Sequence, residues 1–170
     1  VRLGNRELGL NSLRRAEGLE PNEAETRRME GLYRDLKDYS GALKMAEDLT
    51  RRKPEDAGSW IEQADMAVRL GNRELGLNSL RRAEGLKPNE AEMRRMSGLY
   101  GALKDYSRAL NILEVLIQRK PEDAGLWIDQ AEMAARYRAG GLGYGEVKKA
   151  LLAKIEEHFG PARDRRKQFA

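Results

Sequence analysis

The sequence is built on a repeat with an offset of 67 residues. Residues 1–10, VRLGNRELGL, recur without change as residues 68–77, and the offset is 68 minus 1. Roughly four positions in five agree between the two copies, which is far more than helical repeat arrays normally show. Because each unit of such an array buries its apolar face only against its neighbours, the repeat predicts a stacked repeat architecture.

Prolines divide each copy into shorter units. Pro21, Pro54, Pro88 and Pro121 lie 33, 34 and 33 residues apart by subtraction of their numbers. Each interval holds two segments with apolar residues at helical spacing, which predicts two helices per unit. The expected helices span residues 6–18, 23–36, 39–52, 56–69, 73–86, 90–103, 106–119 and 123–138. The sequence therefore predicts an all-α chain of antiparallel helix pairs.

Polar residues mark the expected helix starts. Asn5 and Asn72 each follow a glycine that can end the preceding helix in a left-handed turn. Asp38 and Asp105 occupy the same turn in the other units. We therefore expect these four side chains to be N-caps.

Small residues recur where the two helices of a pair have to approach each other. Ala64, Gly76 and Ala83 have little or no side chain, so two helix backbones can come close at these positions. Trp60 and Leu80 are expected to fill the space around that contact. The pattern indicates tightly packed helix pairs.

These positions resemble the signature of the tetratricopeptide repeat, a unit of about 34 residues. The best-fitting unit carries it at Trp60, Ala64, Ala67, Gly76, Leu80, Ala83 and Pro88, and Trp127 repeats the first position. Thr26 and Met93 replace the tryptophan in the alternate units, and Glu30 stands where a small residue is preferred, which puts the packing there in question. The resemblance covers residues 1–139. It implies a tetratricopeptide-like α-solenoid whose concave groove binds extended peptides or helices of partner proteins.

The repeat pattern breaks at residues 139–145, AGGLGYG. An amphipathic helix is expected at residues 146–159, and a basic tail follows at residues 163–167. Because terminal repeats are usually atypical, we expect this helix to cap the array. The predicted organisation is a repeat array at 1–138 with a capping helix and tail at 139–170.

The same segment resembles the C-terminal tail of bacterial tryptophanyl-tRNA synthetases. The resemblance rests on residues 143–151, GYGEVKKAL, and 161–166, PARDRR. The chain contains no His-Ile-Gly-His-like or Lys-Met-Ser-Lys-Ser-like motif, so the resemblance implies no synthetase activity. It implies a chimera in which a foreign helix is joined to a repeat array; a natural, divergent cap is the alternative.

Composition limits the function classes. The chain has 32 basic and 28 acidic side chains and a formal net charge of +4, which favours solubility over a nucleic-acid surface. The lack of cysteine excludes disulfides and thiolate metal sites. No apolar run is long enough to cross a bilayer and no signal-peptide pattern opens the chain, so we expect a cytoplasmic protein. Because the sequence begins at Val1 inside a repeat, we expect a processed fragment or an engineered chain.

No residue set in the sequence points to catalysis. His158 is the only histidine, and no base, nucleophile or metal-ligand cluster accompanies it. Residues 140–143, GGLG, lack the lysine and the serine or threonine of a phosphate-binding loop. We therefore predict that the chain is not an enzyme and that it has no catalytic, cofactor or metal site.

The first helices of the pairs supply the candidate groove-lining residues. These residues are Arg27, Arg94, Glu62, Asp65, Asp129 and Glu132. Grooves that grip a terminal carboxylate use asparagines and basic residues of these helices, but the asparagines of this chain's helices lie on the second helices, as Asn11, Asn78 and Asn111 do. We therefore expect a mixed-charge peptide, or no peptide at all, in preference to a carboxylate ligand.

The N-terminal end of the array is expected to be open. The helix at 6–18 has no complete partner in its own unit, so Leu8, Leu10, Leu13 and Ala16 are expected to lack their usual cover. Exposed apolar ends of repeat arrays favour stacking, which predicts end-to-end self-association.

Two function hypotheses follow. The first is an engineered or chimeric repeat scaffold without catalytic activity, which the near-identical copies and the synthetase-like tail favour. The alternative is a natural protein-interaction module that binds a partner peptide or helix in its concave groove.

Overall fold

The computed structural model describes residues 2–139, and this part of the chain contains eight α-helices and no strand. The helices are α1 (Arg2–Glu17), α2 (Glu23–Asp35), α3 (Tyr39–Arg52), α4 (Ala57–Arg69), α5 (Arg73–Glu84), α6 (Glu90–Ala102), α7 (Tyr106–Arg119) and α8 (Ala124–Ala139). The predicted all-α architecture is confirmed for the described residues. The bounds of seven helices agree with those expected to within two residues.

The chain divides into two compact units, Val1–Glu92 and Met93–Ala170. In the first unit α2 packs against α3, α3 against α4, and α4 against α5, while α1 makes a smaller contact with α2. In the second unit α7 packs against α8, and the Arg108 guanidinium lies 5.7 Å from the ring centre of Tyr100. We call the first helix of each pair the A helix and the second the B helix. The A helices are α2, α4, α6 and α8, and the B helices are α1, α3, α5 and α7.

Asparagine and aspartate side chains begin the helices as expected. The Asn72 side chain accepts a hydrogen bond from the Leu75 amide at 3.1 Å, and Asp38 and Asp105 cap α3 and α7 in the same way. Gly71, at φ +73°, supplies the left-handed residue that separates α4 from α5. These side chains satisfy amides that have no carbonyl partner within the helix, and they set where each helix starts.

The predicted N-cap at Asn5 is wrong. Helix α1 begins at Arg2 and continues through Gly4 and Asn5 without a turn. The identical residues ahead of α5 are not all helical, because Gly71 reverses the chain so that α5 packs back on α4.

The small residues of the signature lie at the closest helix contacts. Ala64 and Ala83 are completely buried, and Gly76 is buried with them between α4 and α5. In the preceding pair, a Cβ added at Gly41 would lie 2.5 Å from a ring carbon of Tyr33. Because real Cβ contacts are longer, α3 can approach α2 this closely only with glycine at that position.

Tyr33 links three helices of the first unit. Its ring is buried, and its hydroxyl donates a hydrogen bond to the carboxylate of Glu17 on α1. Lys44 of α3 also pairs with Glu17. Burial, together with the hydrogen bond to Glu17, raises the pKa of Tyr33 well above its ordinary value. The network holds α1, α2 and α3 together through one buried ring.

Glu30 is accommodated at the position where the signature prefers a small residue. It is buried, and its carboxylate lies 3.5 Å from the Arg34 guanidinium one turn later on α2. In the second copy the corresponding positions are Ser97 and Gly101. Glu30 and Arg34 thus occur together in the first copy, and both are replaced in the second. A buried carboxylate needs a cationic neighbour, whereas a buried serine does not.

Leu10 and Leu13 are buried, so the prediction that they lack cover is wrong. Both are buried in a cluster that includes Met29 of α2 and Met45 of α3. Of the predicted set, Leu8 is exposed and Ala16 is half-buried. The reason is that α2 and α3 together cover one face of α1.

The two tryptophans differ in burial. Trp127 is 6% exposed, whereas Trp60 is half-buried and Ile61 beside it is completely buried. Each indole nitrogen donates a hydrogen bond of 2.9 Å to the carbonyl of the proline six residues earlier, Pro54 or Pro121. The indoles therefore fix the turn that leads into each helix, and Trp60 does so from a half-buried position.

We expect the two tryptophans to contribute unequally to stability. Trp127→Ala should lower the free energy of unfolding by about 3–5 kcal/mol, because it empties a buried indole site. Trp60→Ala should cost less, because its indole already contacts solvent. Urea unfolding followed by circular dichroism measures both; equal losses, or no loss for Trp127→Ala, would contradict the assignment of burial.

Candidate functional site

Arg27 is the centre of a charged cluster on the A helices of the first unit. Its Nη2 lies 2.7 Å from Asp56 Oδ2 and 3.3 Å from Ser59 Oγ. Its Nε lies 3.3 Å from Glu23 Oε1, and its Nη1 lies 3.9 Å from Glu62 Oε2. We call these five residues the Arg27 cluster. They join α2 to the N-terminal turn and outer face of α4.

The second unit repeats one ion pair of this cluster, the pair between Arg27 and Glu62. Arg94 on α6 lies 2.7 Å, from Nε to Oδ2, from Asp129 on α8. Arg94 is Arg27 shifted by 67 residues, and Asp129 is Glu62 shifted by the same number. An arginine of one A helix therefore pairs with an acid of the next A helix in both units.

The two remaining candidate residues pair within their own helices. Asp65 lies 3.0 Å from Arg69 Nε, and the Arg69 guanidinium lies 5.3 Å from the ring centre of Tyr39. Glu132 lies 3.9 Å from Arg136. All six residues predicted from the sequence thus have a charged neighbour, and four of them are brought together across helices; that they bind a ligand stays a prediction.

Hydrogen bonding holds the cluster in its charged form. Burial on its own would raise the pKa of Asp56, but the hydrogen bonds from Ser59 and Arg27 outweigh it and lower that pKa. The pKa of Glu23 is lowered mainly by its hydrogen bond with Lys53, whose Nζ lies 2.7 Å away. The hydrogen bond to Asp56 raises the pKa of Arg27.

The balance of charge in the cluster does not favour a carboxylate ligand. Three acids, Glu23, Asp56 and Glu62, surround Arg27, and Lys53 adds a second cation through Glu23. A carboxylate that approached Arg27 would have to displace an acid already bonded to it. The geometry therefore supports the expectation of a mixed-charge ligand over a terminal carboxylate.

Sequence reasoning did not place Glu23, Asp56 or Ser59 in this site. Asp56 begins α4 as its N-cap and Glu23 lies in the first turn of α2, so both have a sufficient local role at a helix start. The sequence offers one signal for Asp56, the turn of proline and acid that precedes each A helix. This turn brings Asp56, ahead of α4, close to Arg27 on the preceding A helix, α2.

A groove lies between α1 and α2. We call it the N-terminal groove; it has a volume of about 650 Å³. Its lining residues are Gly9, Ser12, Leu13, Ala16, Leu19, Pro21, Glu25, Arg28, Met29, Leu32, Asp35 and Leu36. The groove is mostly apolar, in contrast to the Arg27 cluster.

Several predictions concern residues beyond those that the structure describes. The capping helix at 146–159, the glycine segment 140–143, His158 and the basic tail all lie outside the described residues. Within residues 2–139 no group of three or more histidine, cysteine, aspartate or glutamate side chains is arranged to hold a metal ion. None of the helices described is both long enough and apolar enough to cross a membrane.

Comparison with protein sequences gives one partial match. No family model matches the chain. A stretch of 37 residues is 61% identical to part of a tryptophan–tRNA ligase of Rhodopirellula baltica. The match covers 22% of this chain and 12% of the ligase, so the chain spans only a small part of that relative. The predicted resemblance to a tryptophanyl-tRNA synthetase is confirmed as a short, local one.

Comparison with solved structures identifies the fold. A crystal structure of MamA protein aligns over 96% of this chain and 87% of its own, with a TM-score of 0.67 and 13% identity. A tetratricopeptide repeat protein from Parabacteroides merdae aligns over 94% of this chain and 60% of its own, with a TM-score of 0.62 and 20% identity. The TPR2B domain of yeast Sti1, in complex with pHsp70, aligns over 68% and 93%, with a TM-score of 0.54 and 22% identity. The chain has the tetratricopeptide-repeat fold.

The Arg27 cluster should make stability depend on pH in acid. Because the pKa values of Asp56 and Glu23 are lowered on folding, their contribution is present above their ordinary values of 3.8 and 4.5 and is lost as the pH falls through the lower folded values. Asp56→Asn keeps an N-cap but removes the charge. At neutral pH it should cost about 0.2–1 kcal/mol, as exposed ion pairs do.

The measurement is urea unfolding at a series of pH values from 7 to 2.5. The variant should lose less stability than the parent below about pH 3.8, the ordinary pKa of Asp56, because it has no carboxylate there to protonate. Asp105→Asn is the matched control, since it changes an N-cap of α7 outside the Arg27 cluster. Parallel curves for the parent and Asp56→Asn would contradict this assignment.

Proposed function

We propose that the chain is a non-catalytic protein-interaction scaffold that binds a partner segment along its A helices. The observation that carries the proposal is the repeated ion pair between successive A helices, Arg27 with Glu62 and Arg94 with Asp129. All four side chains remain partly exposed. Each unit therefore presents a positive and a negative side chain next to each other on two successive A helices.

Such a face suits a ligand of mixed charge. A lysine or arginine of a partner can approach the outer oxygens of Glu62 or Asp129 without breaking the pair beneath, and an acid of the partner can bind an arginine by exchanging with one of the acids beside it. Because the pair is formed before binding, its side chains have little conformational freedom left to lose. Among the proteins of similar fold, the Sti1 domain was solved in a complex with pHsp70, which supports a binding role for such a surface.

The experiment selects a ligand without assuming one. A phage-displayed peptide library would be panned against the whole chain, and selected peptides would be measured by fluorescence polarisation. We expect peptides carrying both signs of charge, and binding that weakens as salt is added. Arg94→Glu should weaken binding by about tenfold, equivalent to about 1.4 kcal/mol.

Arg81→Glu provides the matched control for that experiment. Arg81 is an exposed arginine on the B helix α5, away from the A helices. It undergoes the same reversal of charge and should leave the affinity unchanged. Selection of no peptide, or equal affinity for the parent and Arg94→Glu, would overturn the proposed binding face.

We further propose that the array is engineered or chimeric, with its repeats joined to a segment of synthetase origin. The short match to a tryptophan–tRNA ligase supports this origin, since it involves 22% of the chain. The near-identity of the two copies also supports it. A natural repeat protein with a divergent end is the alternative. In both cases the repeats, and not the synthetase-like stretch, would supply the interaction surface.

The absence of synthetase chemistry can be tested directly. Tryptophan activation needs the nucleotide-binding signatures that the sequence lacks. In an ATP–pyrophosphate exchange assay with tryptophan, the chain should therefore stay at the level of a buffer blank, while a complete tryptophanyl-tRNA synthetase serves as positive control. Tryptophan-dependent exchange above the blank would show that the chain is an enzyme.

A further inference from the structure

The internal repeat shows what covers a surface like the N-terminal groove. Residues 73–84 of α5 are identical to residues 6–17 of α1. In α5, Ser79 and Ala83 are buried, and α4 packs against this helix. In α1 the identical residues are less covered, since Ser12 is exposed and Ala16 is half-buried. The same helix surface is therefore closed at one place in the chain and open at the other.

The groove has the shape and chemistry of a helix-binding site. Gly9 and Ser12 line it from α1, and the small side chain of Ser12 leaves room for a helix to approach. Leu19 and Leu32 line it with 81% and 42% of their surface exposed. Their counterparts in the second copy, Leu86 and Leu99, are half-buried. Exposed leucines around a cleft of this size are typical of an interaction site.

Helix α8 carries the face that matches this groove. Residues 124–136, AGLWIDQAEMAAR, differ from residues 57–69 of α4, AGSWIEQADMAVR, at four of 13 positions. In α4, Ile61 is completely buried, but the equivalent Ile128 of α8 is 59% exposed. Ala64 is also buried in α4, whereas the equivalent Ala131 is exposed. The side chains that α4 buries are thus present on α8 and accessible.

We propose that α8 of one copy docks into the N-terminal groove of a second copy, in the position that α4 occupies on α5. Ile128 and Ala131 would then enter the groove beside Ser12. The two surfaces are different, so the contact is head-to-tail. Because the second copy still presents its own α8, further copies can add and the assembly grows beyond a dimer.

The mass of the chain in solution tests the proposal. Sedimentation velocity of the parent, from micromolar to millimolar concentration, should show a mass that rises past the dimer. Leu32→Glu blocks the groove, and Ile128→Glu blocks α8. Each variant alone should stay monomeric, because a charged carboxylate would have to be buried in a mostly apolar contact. Val115→Glu is the control, at a residue on α7 that is 38% exposed and lies on neither surface, and it should associate like the parent.

An equimolar mixture of the two blocked variants distinguishes this arrangement from a symmetric one. The Leu32→Glu chain keeps its α8, and the Ile128→Glu chain keeps its groove, so one contact remains between them. The mixture should form a dimer and stop there. A parent that is monomeric throughout, a mixture that stays monomeric, or single variants that still associate would each overturn the proposal. Circular dichroism of both variants, altered only at exposed positions, verifies that they are folded.

Discussion

The close contact between the two helices of a pair is the interaction on which the rest of the structure depends. Ala64, Gly76 and Ala83 are buried where α4 packs against α5, and their small size lets the two helices approach closely. The larger residues nearby can then be buried without gaps. Gly41 against Tyr33 does the same for the preceding pair. A larger residue at these positions would separate the helices and expose the core that they enclose.

This packing also determines where charge can be placed. Once the small faces are buried, the outer faces of the A helices come near enough for Arg27 to reach Glu62, and for Arg94 to reach Asp129. Ordered ion pairs of this kind contribute little to stability at a surface. In the function that we propose, they present oriented charge to a partner, so the binding face depends on the packing of the helices.

Sequence reasoning succeeded where a local pattern was sufficient and failed where neighbours decided the outcome. The caps at Asp38, Asn72 and Asp105 depend on a few adjacent residues. The failed cap at Asn5 has the same local sequence as Asn72, but only the second copy requires the chain to reverse. The burial of Leu10 and Leu13 was missed because α2 and α3 cover them. Glu23 and Asp56 were missed because each had a complete explanation at its own helix start.

The sequence by itself determined the repeat, the all-α class, the helix bounds and the positions of close contact, because these follow from spacing and side-chain size. Only the tertiary structure decided which identical residues are buried. Ser12 and Ser79 occupy equivalent positions in two identical stretches, yet Ser12 is exposed and Ser79 is buried. Trp60 and Trp127 also differ. The physical reason is that the burial of a residue depends on its neighbours in space, and the two copies of the repeat have different neighbours.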